Sequence, residues 1–231
     1  MSLTLAFDTA TPDTAVAVCD GAEALAERLV GPDPDGRPSH GHALLGLIAE
    51  LVEGAGGWER IGSIAVGVGP GSFTGIRIGV STARGLAQAR GLPVAAVPST
   101  ATLAAGIPAA PDRARLAVID ARRGEIFAAL LTPGAALAAE PAVLAPEDVG
   151  ELFQGGASPL AAGDGAVRFR DALEAAGAEV LAEGDPANRI SARLVSALAP
   201  TVGTGDPEDV KPLYLRRPDA ERWHERNRSD R

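Results

Sequence analysis

This sequence predicts an α/β protein of two similar units, each a mixed sheet with helices packed on it, and three observations carry that prediction. Short apolar runs suited to strands alternate with longer runs of helical periodicity. A strand, polar turn, strand design at the start (LTLAF at 3–7, DTATPDT, AVAV at 15–18) returns about half a chain later as LAVID (116–120), ARRGE and IFAALL (126–131). Asp8 and Asp120 fall at equivalent places, at the ends of the first strands. The Pro- and Ala-rich segment GIPAAPDRA (106–114) separates the copies and gives units of residues 1–105 and 106–231.

The elements follow in order. Residues 3–7 and 15–18 read as a hairpin. SHGHALLGLIAELVEGAG reads as a helix, with Ser39 as N-cap and glycines at its end. Its apolar residues Leu44, Leu45, Leu47, Ile48, Leu51 and Val52 cover an arc of roughly 160°, wider than the roughly 100° stripe that one core-facing side needs. Part of that face is therefore available to a partner. IGSIAVGVG gives a buried strand, a glycine-rich loop leads into a helix from about Ile76 to Ala89, and LPVAAV (92–97) is the next strand.

Bulk properties narrow the function. An apolar fraction of 46% in 231 residues supports a substantial core. No segment has the pattern of a signal peptide or of a membrane span, so the expected location is cytoplasmic, with no membrane partner. The single cysteine, Cys19, lies in an apolar run and reads as a buried thiol. A formal charge of −9 argues against a broad phosphate-binding surface. The local exception is RRPDAERWHERNRSDR (216–231), with six Arg against four acids around Trp223 and His224, which reads as a solvated tail.

GVGPGSFTGIRIG (67–79) places five glycines in thirteen residues. It is not a Walker loop, which needs a Lys and a Ser or Thr directly after the last glycine to meet phosphate and magnesium. It is not the dinucleotide fingerprint either, because Thr74 stands where the third glycine belongs. Packing is the better explanation. Gly75, Gly79 and Ala83 recur every four residues as one smooth stripe down the helix, which lets a second helix pack unusually near, from within the chain or from a partner.

Taken together, GPGSFTGIRIGVSTARGLA (69–87), the opening LAFDTATPDTAVAV, DARRGEIFAALL from Asp120 and PLYLRRPDA (212–220) resemble the TsaB family of tRNA threonylcarbamoyladenosine biosynthesis proteins, formerly called YeaZ. The resemblance implies an actin-like fold of two α/β domains. It implies pairing with a paralogue, TsaD, which transfers threonylcarbamoyl from its adenylate to the adenosine next to the anticodon of tRNAs reading A-starting codons. The small ATPase TsaE completes that complex, and tRNA is met only through it. The chain itself is implied to be the non-catalytic scaffold, homodimeric at most when isolated, with no cofactor unless a nucleotide sits at the shared interface. The resemblance further implies a partner contact formed by Gly69, Pro70, Gly71, Ser72, Phe73, Thr74, Gly75, Ile76, Gly79, Val80 and Ala83, together with Leu44, Leu47, Ile48 and Leu51 of the preceding helix.

Residue types agree with the non-catalytic role. In the TsaD paralogue the metal-binding histidines follow the glycine motif and its strand. The corresponding PSTATLAAG (98–106) has none, and His40, His42 and His224 are the only histidines in the chain. The rival readings are a peptidase, as the family's older glycoprotease label suggests, and a small-molecule kinase of the same fold. No serine sits in G-x-S-x-G for the first, and for the second the DTATP turn lacks a phosphate-facing glycine while DARRG carries Arg122 and Arg123.

Overall fold

The computed structural model describes residues 2–154 and 156–216. Two five-stranded mixed sheets share one topology. In the first, β1 (Leu3–Asp8), β2 (Thr14–Asp20) and β3 (Glu23–Val30) form an antiparallel meander. β4 (Ile61–Gly67) and β5 (Val94–Val97) then add parallel to β1, giving the order β3-β2-β1-β4-β5. In the second, β6 (Arg115–Arg122), β7 (Glu125–Leu131) and β8 (Ala142–Leu144) make the meander. β9 (Leu160–Ala162) and β10 (Glu179–Val180) extend it in parallel, in the order β10-β9-β6-β7-β8. The duplication expected from the two hairpins is thus a duplication of whole sheets.

Strand alternation divides the core into layers. Leu3, Leu5 and Phe7 of β1 face outward with Val16, Val18, Ile64 and Val66, and α1 (His40–Gly54) and α2 (Phe73–Arg90) cover them. Ala6, Ala65 and Val97 face inward and share one core cluster with Ala117, Ile119 and Phe127 of the second sheet, joined through side chains such as Leu103 and Val195. Leu116, Val118 and Ile126 form the far face of that sheet, under the short helices α4 (Asp164–Arg168) and α5 (Arg170–Ala175) and the 3-10 segment Pro146–Phe153.

Two helices fill the space between the sheets, and they are exchanged. α3 (Ser99–Gly106) continues from β5 of the first sheet but packs on β6 and β7. α6 (Ala192–Val202) belongs to the second half of the sequence but packs on β1, β2 and β5. A cut at 105/106 runs through the last turn of α3 and separates α6 from the sheet it covers. The chain then returns to the first sheet: Gly205 bridges Val94, the Leu213 N–H donates to the Val68 carbonyl at 2.8 Å, and Tyr214 stacks on Phe73. Arg216 reaches the other unit, donating to the Ala121 carbonyl and pairing with Glu125. The Arg-rich run beyond it, with Trp223 and His224, lies outside the described residues.

Two sequence expectations are corrected. α2 begins at Phe73, a turn before Ile76, because the Ser72 side chain accepts the Gly75 N–H and caps the helix there. Ser39 does precede α1 but does not cap it; its hydroxyl donates to the Gly31 carbonyl at 3.1 Å. β3 was not foreseen. It is an edge strand with Glu23, Glu27 and Arg28 among its residues and no sealed face, so its alternation is weak.

Candidate functional site

The glycine segment wraps around the turn that follows β1. Ser72 N–H donates to the Ala10 carbonyl at 2.7 Å, and the Thr9 hydroxyl donates to the Gly75 carbonyl at 2.7 Å. Side chains are excluded where these backbones meet. A Cβ at Gly71 would overlap the Ala10 carbonyl, one at Gly75 the Thr9 carbonyl, and one at Gly79 would press on the Thr9 hydroxyl. Gly67 likewise makes room for the Asp8 carboxylate.

Most positions of the expected partner contact are themselves buried within the chain. Gly75, Ile76, Gly79, Val80 and Ala83 are buried against the chain's own first sheet, as are Leu44, Ile48 and Leu51 of α1, while Leu47 is half-buried against the same core. What approaches the glycines of α2 within the chain is the turn at residues 9–10, through the Thr9 carbonyl at Gly75 and the Thr9 hydroxyl at Gly79, and not the second helix read from the stripe. Gly69 and Pro70, joined by a cis peptide, are buried below the loop; Gly71 and Phe73 are half-buried; only Ser72 and Thr74 of the set are exposed.

The outward side of the same helices carries different residues. Leu45 of α1 is 62% exposed, and Gly46 beside it has no atom within reach of a Cβ. On α2, Ser81, Arg84, Gly85 and Gln88 are exposed, and Gly85 also faces open space. Gly46 and Gly85 escaped the sequence reading because an exposed helix glycine breaks no pattern.

The two hairpin acids are both engaged by hydrogen bonds within the chain. Asp8 is fully buried: Oδ1 accepts the Ala10 N–H at 2.7 Å and Oδ2 the Ser99 hydroxyl at 2.6 Å, while the Ser99 oxygen accepts the Gly69 N–H at 3.1 Å. Burial pushes the Asp8 carboxyl up to about 6, against the hydrogen bonds from Ser99, Ala10 and Thr9 that pull it down. Asp120 Oδ1 accepts the Arg122 N–H at 2.8 Å, and Oδ2 meets the guanidiniums of Arg168 at 2.8 Å and Arg122 at 3.2 Å. Asp164 lies next to it, and burial raises its carboxyl above the ordinary value. His40, expected at a solvated helix start, is instead buried, with Nδ1 2.7 Å from the Thr14 hydroxyl, and burial lowers its pKa. Cys19 is a free, buried thiol.

Among the described residues no three His, Cys, Asp or Glu side chains gather as metal ligands. No helix among them is long and apolar enough to cross a membrane.

A family model described as TsaD, tRNA N6-adenosine threonylcarbamoyltransferase, matches residues 36–185. The TsaB protein of Escherichia coli is 36% identical over 125 residues, 53% of this chain and 52% of that protein, and the TsaB of Haemophilus influenzae is 34% identical over 130 residues. The crystallised YeaZ from Pseudomonas aeruginosa superposes with a TM-score of 0.77 at 28% identity, over 93% of this chain and 100% of that one. The chain belongs to the TsaB family. By sequence it spans about half the length of the TsaB relatives it matches, whereas the YeaZ superposition extends across both sheets. An uncharacterised protein of Mycobacterium tuberculosis is 34% identical over 151 residues, 64% of this chain and 68% of that one. The process for which those TsaB relatives are named is tRNA threonylcarbamoyladenosine biosynthesis.

Proposed function

We propose that the chain is the non-catalytic partner of a TsaD paralogue in making threonylcarbamoyladenosine on tRNA, with TsaE completing the complex and tRNA met only through it. The observation that carries this reading is the closed state of both hairpin acids. All four carboxylate oxygens of Asp8 and Asp120 already accept hydrogen bonds from within the chain, so both acids are committed to holding their own turns. α3, which follows the glycine segment and β5, carries Ser99, Thr100 and Thr102, all buried, where the resemblance puts the paralogue's histidines.

The outward side of α1 and α2 supports a partner face on the first unit. A glycine in an exposed helix interior costs roughly 1 kcal/mol relative to alanine. No described residue requires Gly46 or Gly85, and a partner backbone lying close to the helices accounts for both. Leu45 stands next to Gly46 as the apolar anchor of that contact.

Reconstitution tests the proposal. TsaD and TsaE given threonylcarbamoyl adenylate, ATP and tRNA should modify the tRNA only when this chain is added, and this chain alone should modify none. Transfer by the chain alone, or transfer by TsaD and TsaE at the same rate without it, would refute the role.

A further inference from the structure

The outward side of α2 ends, toward its N-terminus, in a cluster built from two distant parts of the chain. Phe73 opens the helix, Arg77 lies one turn further on, and Tyr214 comes from the segment that returns to the first sheet after α6. The rings of Phe73 and Tyr214 stack with centroids 5.0 Å apart and planes inclined at 30°. The Arg77 guanidinium carbon sits 3.9 Å from the Phe73 centroid, and its Nε donates to the Tyr214 hydroxyl at 3.0 Å. The cluster is open to solvent, with Arg77 exposed and Tyr214 39% exposed.

These contacts determine what the guanidinium has left to offer. Its Nε and one face are used, and among the described residues neither terminal nitrogen meets an acceptor. An arginine held in this way presents a two-pronged donor that matches a carboxylate, with much of its side-chain freedom already lost. The local charge leaves that role open. None of the eighteen residues of α2 is acidic, and Glu208 and Asp209, on the turn packed alongside α2, form no ion pair with Arg77.

Arg77 also continues the outward stripe of Ser81 and Gly85, which follow it four and eight residues along the same side of the helix. We infer that Arg77, positioned by Phe73 and Tyr214, receives a carboxylate of the TsaD paralogue and so sets the register of that partner on α2, an inference that rests on the pairing proposed above. The neighbouring outward residues are apolar or small, Leu45, Gly46 and Gly85, which suits a packed protein surface better than a solvated phosphate backbone. Arginine and tyrosine are also the residue types in which interfaces concentrate their binding energy.

The test uses the full chain and TsaD, titrated calorimetrically at low and at raised ionic strength. Arg77→Gln should lose at least tenfold in affinity and show a shallower salt dependence than the parent, with a melting temperature within a few degrees of it. Arg77→Lys, which keeps the charge without the fork, should recover only part of the loss. Tyr214→Phe, which keeps the stacked ring but removes the hydroxyl that holds Nε, should lose at least threefold. Arg193→Gln, the same change of charge at an exposed position of α6, should bind as the parent does. Full affinity or an unchanged salt dependence in Arg77→Gln, full recovery in Arg77→Lys, or full affinity in Tyr214→Phe would each overturn the inference and leave the pairing standing. A melting temperature of Arg77→Gln that falls in step with its affinity would make the cluster a brace of the fold and overturn it too. Absence of binding by the parent would instead refute the pairing, and the inference with it.

Discussion

The Thr9 hydroxyl donates to the Gly75 carbonyl at 2.7 Å while the Thr9 carbonyl occupies the place where a Gly75 side chain would be. One residue of the β1–β2 turn thus fixes α2 against the first sheet by attraction on one side and by exclusion on the other. The smooth face of α2 is therefore a condition of folding.

Substituting Gly79→Leu or Gly75→Ala should destabilise the isolated chain, the alanine variant by on the order of 3 kcal/mol, because the obstructing atoms are backbone or a short hydroxyl that cannot move aside. Urea unfolding of the variants checks this. Parent-like stability would show that α2 can lift off the sheet.

On the outer side the outcome should be the opposite. Leu45→Asp and Gly46→Leu should leave the melting temperature of the chain within a few degrees of the parent, since neither position has a crowded neighbourhood, and both should weaken TsaD binding at least tenfold in a pull-down or titration. Leu44→Asp, one residue away and buried, should unfold the chain instead. Normal pairing by both outer variants would move the contact elsewhere.

Asp8 sets a pH dependence whose sign follows from its raised pKa. The folded state holds the proton more tightly than the unfolded state, where the carboxyl titrates near 3.8, so stability falls as pH rises from about 3.8 to about 6 and is level above that. The displacement corresponds to about 3 kcal/mol. The stability difference between the parent and Asp8→Asn, measured by denaturant unfolding from pH 4 to pH 7, should change by up to that amount in favour of the variant. A difference independent of pH would show that Asp8 does not titrate in this range.

His40 acts in the other direction. Burial disfavours its charged form, against the pull of the Thr11 carbonyl and Asp13, so the unfolded state binds the proton more readily and stability is lost as pH falls through the ordinary histidine range near 6.5. The loss between pH 7 and pH 5.5 should be smaller in His40→Gln than in the parent. An identical slope would assign the effect to other groups.

The sequence displayed the fold more openly than the site. Both hairpins, α1, β4, α2 and β5 announce themselves because each seals an apolar face in a period that strands or helices impose, and the duplicated hairpin pointed to the duplicated sheet. The spacing of Gly75 and Gly79 pointed to a close neighbour, read as a helix, where the structure places the Thr9 turn. Its direction was hidden, because the approaching backbone at Thr9 lies 66 residues away and helical periodicity records no partner. The Arg77 cluster was hidden for the same reason. Arg77 looks like an ordinary exposed helix residue until Tyr214, 137 residues further on, is seen against it.

The exchange of α3 and α6 bears on how the chain is made. The first sheet is complete in sequence by Val97, but the helix covering its inner face ends at Val202. During synthesis the inward alanines and valine of that sheet, Ala6, Ala65, Ala95 and Val97, stay unburied for the roughly one hundred residues that follow. A ribosome reading from the start therefore cannot finish the first unit before the second, and a fragment ending near residue 105 emerges with an open apolar surface. Both halves come to rest together, near the end of translation, when α6 closes on the sheet laid down first.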